Sequence, residues 1–347
     1  MEADDVRRLF LGLLGREPES EAVVASFLAL ETPMAAVATI VGSPEFQGRV
    51  RRTPFDFFHS TVDAVALVRA FEDPNRAPRA GFAVNYFGLA IPRDVLPASV
   101  RGTVPDVEAD PLPSNWHADT SEFAAALRAV DRARDRFVVV ELGCGWGCWM
   151  GITGVSARRR GLELTLVGVE GDRHNLDLAR QTLAANAFSD TEVRLVHGIV
   201  GGRSGLAAFP QQDEGGGSWG LAPIFDSDAE RYAAAVASGR AAVLPVVRFA
   251  DLAADLPHVD LVHIDIQGGE ADLVAAAIGD FDEKVAHVLV GTHSRQIEGA
   301  LFDTFGDAGW VLEVERPAIL KLANGGRPDI AVDGVQGWRN PRVAPMG

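Results

Sequence analysis

Apolar residues in the first fifty positions recur every three or four places. Val6, Phe10, Leu13 and Leu14 share one face of a helix over Asp4–Leu14, and Gly15 follows as a stop. Ser20 can cap a second helix running to Leu30, and Thr32-Pro33 is a cap-plus-proline start for a third that ends near Gly42. Pro54–Phe71 also predicts a helix. The periodicity then breaks at Pro74, Pro78, Pro92, Pro97, Pro105, Pro111 and Pro113, a density that forbids long regular elements. Phe82, Tyr86, Phe87 and Trp116 fall in the same passage, so it should pack onto a surface, as an interdomain strap or as the wall of a site.

From residue 119 the pattern changes again. Asp119-Thr120-Ser121-Glu122 is a capping box that opens a helix to Arg134. Apolar runs follow at Phe137–Leu142, Leu164–Val169, Val259–Ile264 and Ala286–Gly291, with a further strand at Glu192–His197 and helical stretches between them, such as Arg173–Ala185. Strands that are apolar on both faces and alternate with helices predict an α/β fold, a doubly wound and mostly parallel sheet. The chain therefore divides into a helical domain at 1–52, a Pro-rich connecting or lid segment at 53–118 and an α/β domain at 119–347.

Length and composition agree with one full α/β domain plus a smaller helical one, since 347 residues exceed a minimal single domain. A net charge of −16 argues against a general nucleic-acid binder, which needs clustered Lys and Arg. Cys144 and Cys148 stand alone, too few for a disulfide framework or a zinc site, and Met1–Asp5 is acidic where a secretory signal is basic. No apolar run approaches a membrane span. The expected location is the cytoplasm.

In a sheet of this kind ligands sit beyond the C-terminal strand ends, which selects Glu141–Gly147, Glu170–Asp172, His197–Gly198, Asp265–Gly269 and Thr292–Ser294. The glycine cluster Gly143-x-Gly145-x-Gly147 is followed by Cys148, so the dinucleotide fingerprint fails. Glu170, at the end of the second strand, can accept both hydroxyls of a cofactor ribose. Asp172, Arg173, Glu270 and Ser294 read first as helix-start residues, and His263 as a core histidine.

Two sets of motifs carry resemblances. The glycine loop after Val138-Val139-Val140-Glu141-Leu142 has the form found in class I methyltransferases. The segments Val259–Glu270, Val290–Glu298, Trp116–Glu122 and Asp333–Pro341 together resemble the FkbM family of S-adenosylmethionine-dependent methyltransferases. Ile266-Gln267-Gly268-Gly269-Glu270 departs from the family's form, in which a glutamate commonly stands at the place of Gln267. At the other end, Leu13–Pro18 and Ser43–Phe46 resemble a small bacterial domain of unknown function, usually numbered 4214.

The FkbM resemblance implies O-methylation of a sugar, a glycan or a glycosylated or polyketide-type metabolite, with S-adenosylmethionine as cofactor. It places Glu141, Gly143, Cys144, Gly145, Gly147, Glu170, His197, Gly198 and Asp265 around the cofactor. It places Trp116, His117, Gln267 and Trp219 around the acceptor. Asp265 and His293 become the catalytic candidates, with His293 removing the acceptor's proton and Asp265 orienting it; Asp265 would also be the ligand of any divalent metal. The expected partner is a small-molecule or glycan acceptor, and homo-oligomerisation stays open. A nicotinamide-dependent oxidoreductase and a non-catalytic cofactor-binding module of a glycan-assembly complex are the alternatives.

Overall fold

The computed structural model describes residues 1–30, 32–50, 53–211, 220–322 and 328–345. By packing, the chain forms two compact units, Met1–Phe57 and Phe58–Gly347.

The first unit contains the helices Ala3–Leu14, Glu21–Leu28, Pro33–Val41 and Pro44–Val50. Val6, Phe10, Leu14, Val24 and Ile40 form its core. The caps lie where the sequence puts them. Ser20 and Thr32 accept from the amides of Val23 and Ala35, and Gly15 turns left-handed at φ 60°. The helix from Pro44 was not expected; the Ser43 hydroxyl, accepting from the Phe46 amide, begins it. Arg16 clamps both carboxylate oxygens of Glu45, which ties Leu13–Pro18 to Ser43–Phe46.

The second unit is built on an eight-stranded sheet. Its order is His59–Ser60, Val311–Arg316, Gly334–Arg339, Val285–Thr292, Val259–Ile264, Arg136–Leu142, Glu163–Glu170 and Val193–His197. The last five run parallel. Gly334–Arg339 inserts antiparallel between Val285–Thr292 and Val311–Arg316. This is the strand arrangement of class I methyltransferases, and the sheet is doubly wound as the alternating pattern predicts. Alternate side chains of Arg136–Leu142 enter opposite cores: Phe137 and Val139 meet Phe123, Trp149 and Ile152, while Val138, Val140 and Leu142 meet Phe249, Leu273 and Phe281.

The passage between residues 58 and 118 belongs to the first of these cores. Val68, Phe71, Phe87, Leu89 and Ile91 are buried in it. Pro54–Phe71 is not one helix: it makes a 3₁₀ turn at Pro54–Asp56, a short edge strand at His59–Ser60 and a helix at Ala64–Ala70 capped by Asp63. Prolines at the following positions permit only the short strands Phe82–Val84 and Ala90–Pro92.

After Val193–His197 the chain makes a second, four-stranded sheet in the order Ile199–Val200, Ala241–Val247, Gly205–Pro210 and Ile224–Phe225. Its Ile199, Phe209, Leu244 and Val246 form a small core of their own. Among the described residues, no helix is long and apolar enough to cross a membrane.

Candidate functional site

The sheet's switch point lies where Arg136–Leu142 has the second parallel strand on one side and the fourth on the other. A cleft of about 940 Å³ opens there, between the strand ends and the four-stranded sheet. From the expected cofactor set, Gly143, Gly145, Glu170, Gly198 and Asp265 line it. Gly143 is fixed by space as well as by conformation: at φ 79°, a Cβ added to it would lie 1.9 Å from the carbonyl oxygen of Asp265. Only glycine lets the first and fourth strand ends approach so closely.

Glu170 is buried at the floor of this cleft. One of its oxygens accepts from the Gly145 amide and the other from the Asp172 amide, both at 2.8 Å. Burial raises its carboxyl above the usual range, and these two bonds oppose the rise. Asp172 caps its helix with Oδ1, as its position suggests. Its Oδ2 and the Oδ1 of the neighbouring Asn175 are buried without a hydrogen-bond partner, and both residues line the cleft. No sequence signal separates such a lining residue from an ordinary helix cap. Opposite them, Ile199, Phe209, Leu221 and Phe225 make an apolar wall.

Four residues of the expected cofactor set stand behind this surface, not on it. Glu141 accepts from the amides of Trp149 and Met150 and so takes two free donors of the helix Cys148–Arg159. Burial pushes its carboxyl up to about 8. Cys144 is buried, its thiol raised by burial. Gly147, at φ 77°, is the left-handed start of that helix. His197 donates from Nε2 to the carbonyl of Gly171 at 3.1 Å, bracing the turn after the second strand.

Asp265 and His293 meet at the ends of the fourth and fifth parallel strands. Nε2 of His293 is 3.4 Å from Oδ1 of Asp265 and 4.0 Å from Oδ2 of Asp333. Nδ1 lies 2.9 Å from Oε1 of Glu270. An ionised carboxylate can only accept, so Nδ1 carries the proton of that bond. Burial works against a charged imidazole, but the hydrogen bond to Glu270 and the charges of Asp265 and Asp333 outweigh it and push His293 up to about 9. Burial likewise raises Glu270, yet the bond to His293 leaves it below the usual range. Asp265 is raised by burial, against the pull of His293. Gln267, in a left-handed turn at φ 59°, donates to Oδ1 of Asp265 at 2.8 Å and lines the cleft. Sequence reasoning brought Asp265 and His293 together but gave Glu270 no contact with the imidazole and Asp333 no role.

The aromatic candidates lie elsewhere. Trp116 stacks on Trp146 of the glycine loop at 5.6 Å, and His117 lies 3.5 Å from Sγ of Cys148. Neither lines the cleft, and burial holds His117 down to about 3, so it is neutral. Trp219 lies outside the described residues. His263 is buried beside Glu141, as a core histidine would be, and burial holds it down to about 3.

The site fits an adenosine-type cofactor. Glu170, Asp172 and Asn175 offer acceptors to hydroxyl or amino groups, two of them unsatisfied in the burial that surrounds them, and the apolar wall suits a flat ring. Asp265, Glu270 and His293 each bring one oxygen or nitrogen within 4.8 Å of the others. Glu270 Oε1 already accepts from Nδ1 and from two backbone amides, and Asp265 Oδ1 accepts from Gln267.

No family model matches the chain. Among solved structures, similarity extends to the FkbM methyltransferase of Methylobacillus flagellatus KT at 14% identity and a TM-score of 0.37, over 63% of this chain and 55% of that one. It extends also to the precorrin-6y C5,15-methyltransferase of Geobacter metallireducens GS-15 at 12% identity and a TM-score of 0.35, over 62% and 86%. A protein of Jannaschia sp. (strain CCS1) named "Putative methyltransferase" is 42% identical over 276 residues, which span 80% of this chain and 98% of that one. The chain belongs to the methyltransferase family of that relative.

Proposed function

We propose that this methyltransferase uses S-adenosylmethionine to methylate a hydroxyl of a sugar, glycan or glycosylated metabolite, as the FkbM-like motifs imply. The observation that carries the reading is the meeting of Asp265 and His293 at adjacent strand ends beside the cleft. When bound, the cofactor supplies a methyl group already activated on sulfur. What the protein must add is alignment and the removal of a weakly acidic proton. Glu170, Asp172 and Asn175 would hold the cofactor's polar groups, and the Gly143–Gly145 backbone leaves room for it at the strand ends.

The proton goes to Asp265. An imidazole whose pKa lies at about 9 is a cation at neutral pH and has no lone pair to offer. The carboxylate 3.4 Å away does. His293 then orients Asp265 and balances its charge, which exchanges the roles that the sequence suggested for the two. Carboxylates at Asp265 and Asp333, with the amide of Gln267, suit the several hydroxyls of a sugar. Two free cysteines are in keeping with a reducing, cytoplasmic location.

Calorimetry with S-adenosylhomocysteine and with NAD, followed by mass spectrometry of the producer's glycans and metabolites with and without this protein, tests the reading. Binding of the first and loss of a methyl ether in the knockout are expected. NAD binding alone, or a methyl group found on nitrogen or carbon, would overturn it.

A further inference from the structure

Glu270 is the first residue of the helix Glu270–Lys284, and its side chain has no exposed surface. A carboxylate at a helix start is ordinarily solvated and gains only from the helix dipole. Here one carboxylate gathers three donors. Oε1 accepts from Nδ1 of His293 at 2.9 Å, from the Ile266 amide at 3.1 Å and from the Gly268 amide at 3.0 Å. Oε2 is 3.1 Å from the same Gly268 amide. The end of the fifth parallel strand is thereby joined to the turn that follows the fourth. That turn carries Asp265 and Gln267, and its residues Ile266–Gly269 line the cleft.

We propose that Glu270 is a positioning residue for methyl transfer, fixing the His293 imidazole with Nδ1 protonated and Nε2 aimed at Asp265 while it holds the Ile266–Gly269 turn in place. The proposal rests on the reading of Asp265 and His293 as the pair that meets the acceptor hydroxyl. Its physical basis is that a carboxylate on one ring nitrogen decides what the other nitrogen presents. Without an acceptor at Nδ1 the ring is free to turn, and the 3.4 Å approach of Nε2 to Asp265 has nothing to hold it. The dependence runs both ways. A buried carboxylate needs a counter-charge, and among the described residues His293 is the one cationic side chain within ion-pair distance of Glu270. The groups that face the ring are Glu270 at Nδ1 and Asp265 and Asp333 at Nε2.

The test uses the full-length protein with nitrogen-labelled histidine and S-adenosylhomocysteine as the binding probe. Glu270→Gln keeps the side chain's size and one oxygen for the backbone amides but removes the charge. The ring of His293 should titrate nearer to ordinary histidine and its fixed Nδ1–H signature should weaken, because a neutral amide oxygen replaces the carboxylate as its acceptor, while S-adenosylhomocysteine affinity stays within about threefold. With an acceptor in hand, kcat should fall on the order of 100-fold with KM little changed. If Glu270→Gln does not fold, Glu270→Asp, charged but too short to reach the ring, should show the same weakening of the Nδ1–H signature. Unaltered His293 resonances in a folded variant would overturn the proposal. So would a collapse of cofactor affinity with the ring unchanged, since that marks Glu270 as a support of the turn only. These readings need no acceptor. A changed ring in an enzyme later found to methylate nitrogen would therefore sustain the role of Glu270 while removing the hydroxyl chemistry.

Discussion

At Glu170 each carboxylate oxygen already holds a backbone amide, and each keeps a further lone pair for a ligand hydroxyl. Removing the side chain therefore takes away a ligand contact and also releases the Gly145 and Asp172 amides that shape the floor. Glu170→Ala should weaken S-adenosylhomocysteine binding by at least about tenfold, or ~1.4 kcal/mol, and lower Tm slightly. Calorimetry with unchanged affinity would place the ribose elsewhere. His293 allows a test by pH. Its folded pKa of about 9 stands above the ordinary 6.5, so the ion-pair stabilisation is fully present below 6.5 and lost as pH rises through 9. Tm of the native protein should fall across that window relative to His293→Gln. Activity should decline above about 9 as the cation that orients Asp265 disappears; activity rising through 9 would return the base role to His293. The sequence made the pair at 265 and 293 legible because both end buried apolar runs, and strand ends are where such folds put chemistry. Glu141, Cys144 and His197 do not line the cleft: a strand-end rule selects a neighbourhood, and within it Glu141 turns to the Trp149 and Met150 amides and His197 to the Gly171 carbonyl. Trp116 and His117, large aromatics in an irregular passage, pack on Trp146 and Phe123 and do not line the cleft.

Elements read well where hydropathy is uniform. Four of the five parallel strands stand out because they are buried on both faces and only isolated polar residues, such as Glu141, Asp260, His263 and His287, interrupt the apolar run. Gly334–Arg339 is fully buried, but it carries Gln336 and Arg339, whose partners are supplied by tertiary structure: Gln336 donates to the Glu298 carbonyl, and Glu313 holds Arg339. A buried strand whose polar groups are satisfied from afar has no signature in its own sequence. The four-stranded sheet escapes for a different reason, since two of its strands span only Ile199–Val200 and Ile224–Phe225. Helix starts are the opposite case. The capping box at Asp119 is local chemistry and is present as expected, with Asp119 accepting from Ser121 and Glu122 and Glu122 accepting from Asp119. What the local pattern omits is that Oδ2 of Asp119 also accepts from Nε of Arg316 at 2.7 Å, with both side chains almost wholly buried. Asp119→Ala thus removes a cap and one partner of a buried ion pair together. We expect a loss of about 2–5 kcal/mol in urea unfolding, against about 1 kcal/mol for a cap alone. A loss near the lower figure would show that Arg316 is well satisfied without Asp119.

At the scale of the whole molecule the question is where the catalytic unit begins. Sequence periodicity sets a helical domain at 1–52 and a Pro-rich connection after it, because proline density hides the burial of what lies between. Packing puts the division after Phe57 and gathers the Pro-rich passage into the larger unit. Phe58 packs against the larger unit's core, and His59 and Ser60 pair with Glu315 and Val314 to extend its sheet by one strand. The Thr61 amide completes that edge on the Glu313 carbonyl at 2.8 Å. Among the described residues, those that line the cleft run from Gly143 onward and belong to the larger unit. Two truncations therefore separate the alternatives. Removal of residues 1–57 should leave a folded protein whose S-adenosylhomocysteine affinity is within about threefold of the full chain, as for a domain with its own core. Removal of residues 1–62 strips the edge strand and Phe58 as well. It should lower Tm by several degrees, because about 1 kcal/mol is worth roughly 2–4 °C in a domain of that size, while the cleft still binds. A protein lacking residues 1–57 that neither folds nor binds would mean that the helical unit is a structural part of the methyltransferase, and the boundary after Phe57 would have to be abandoned.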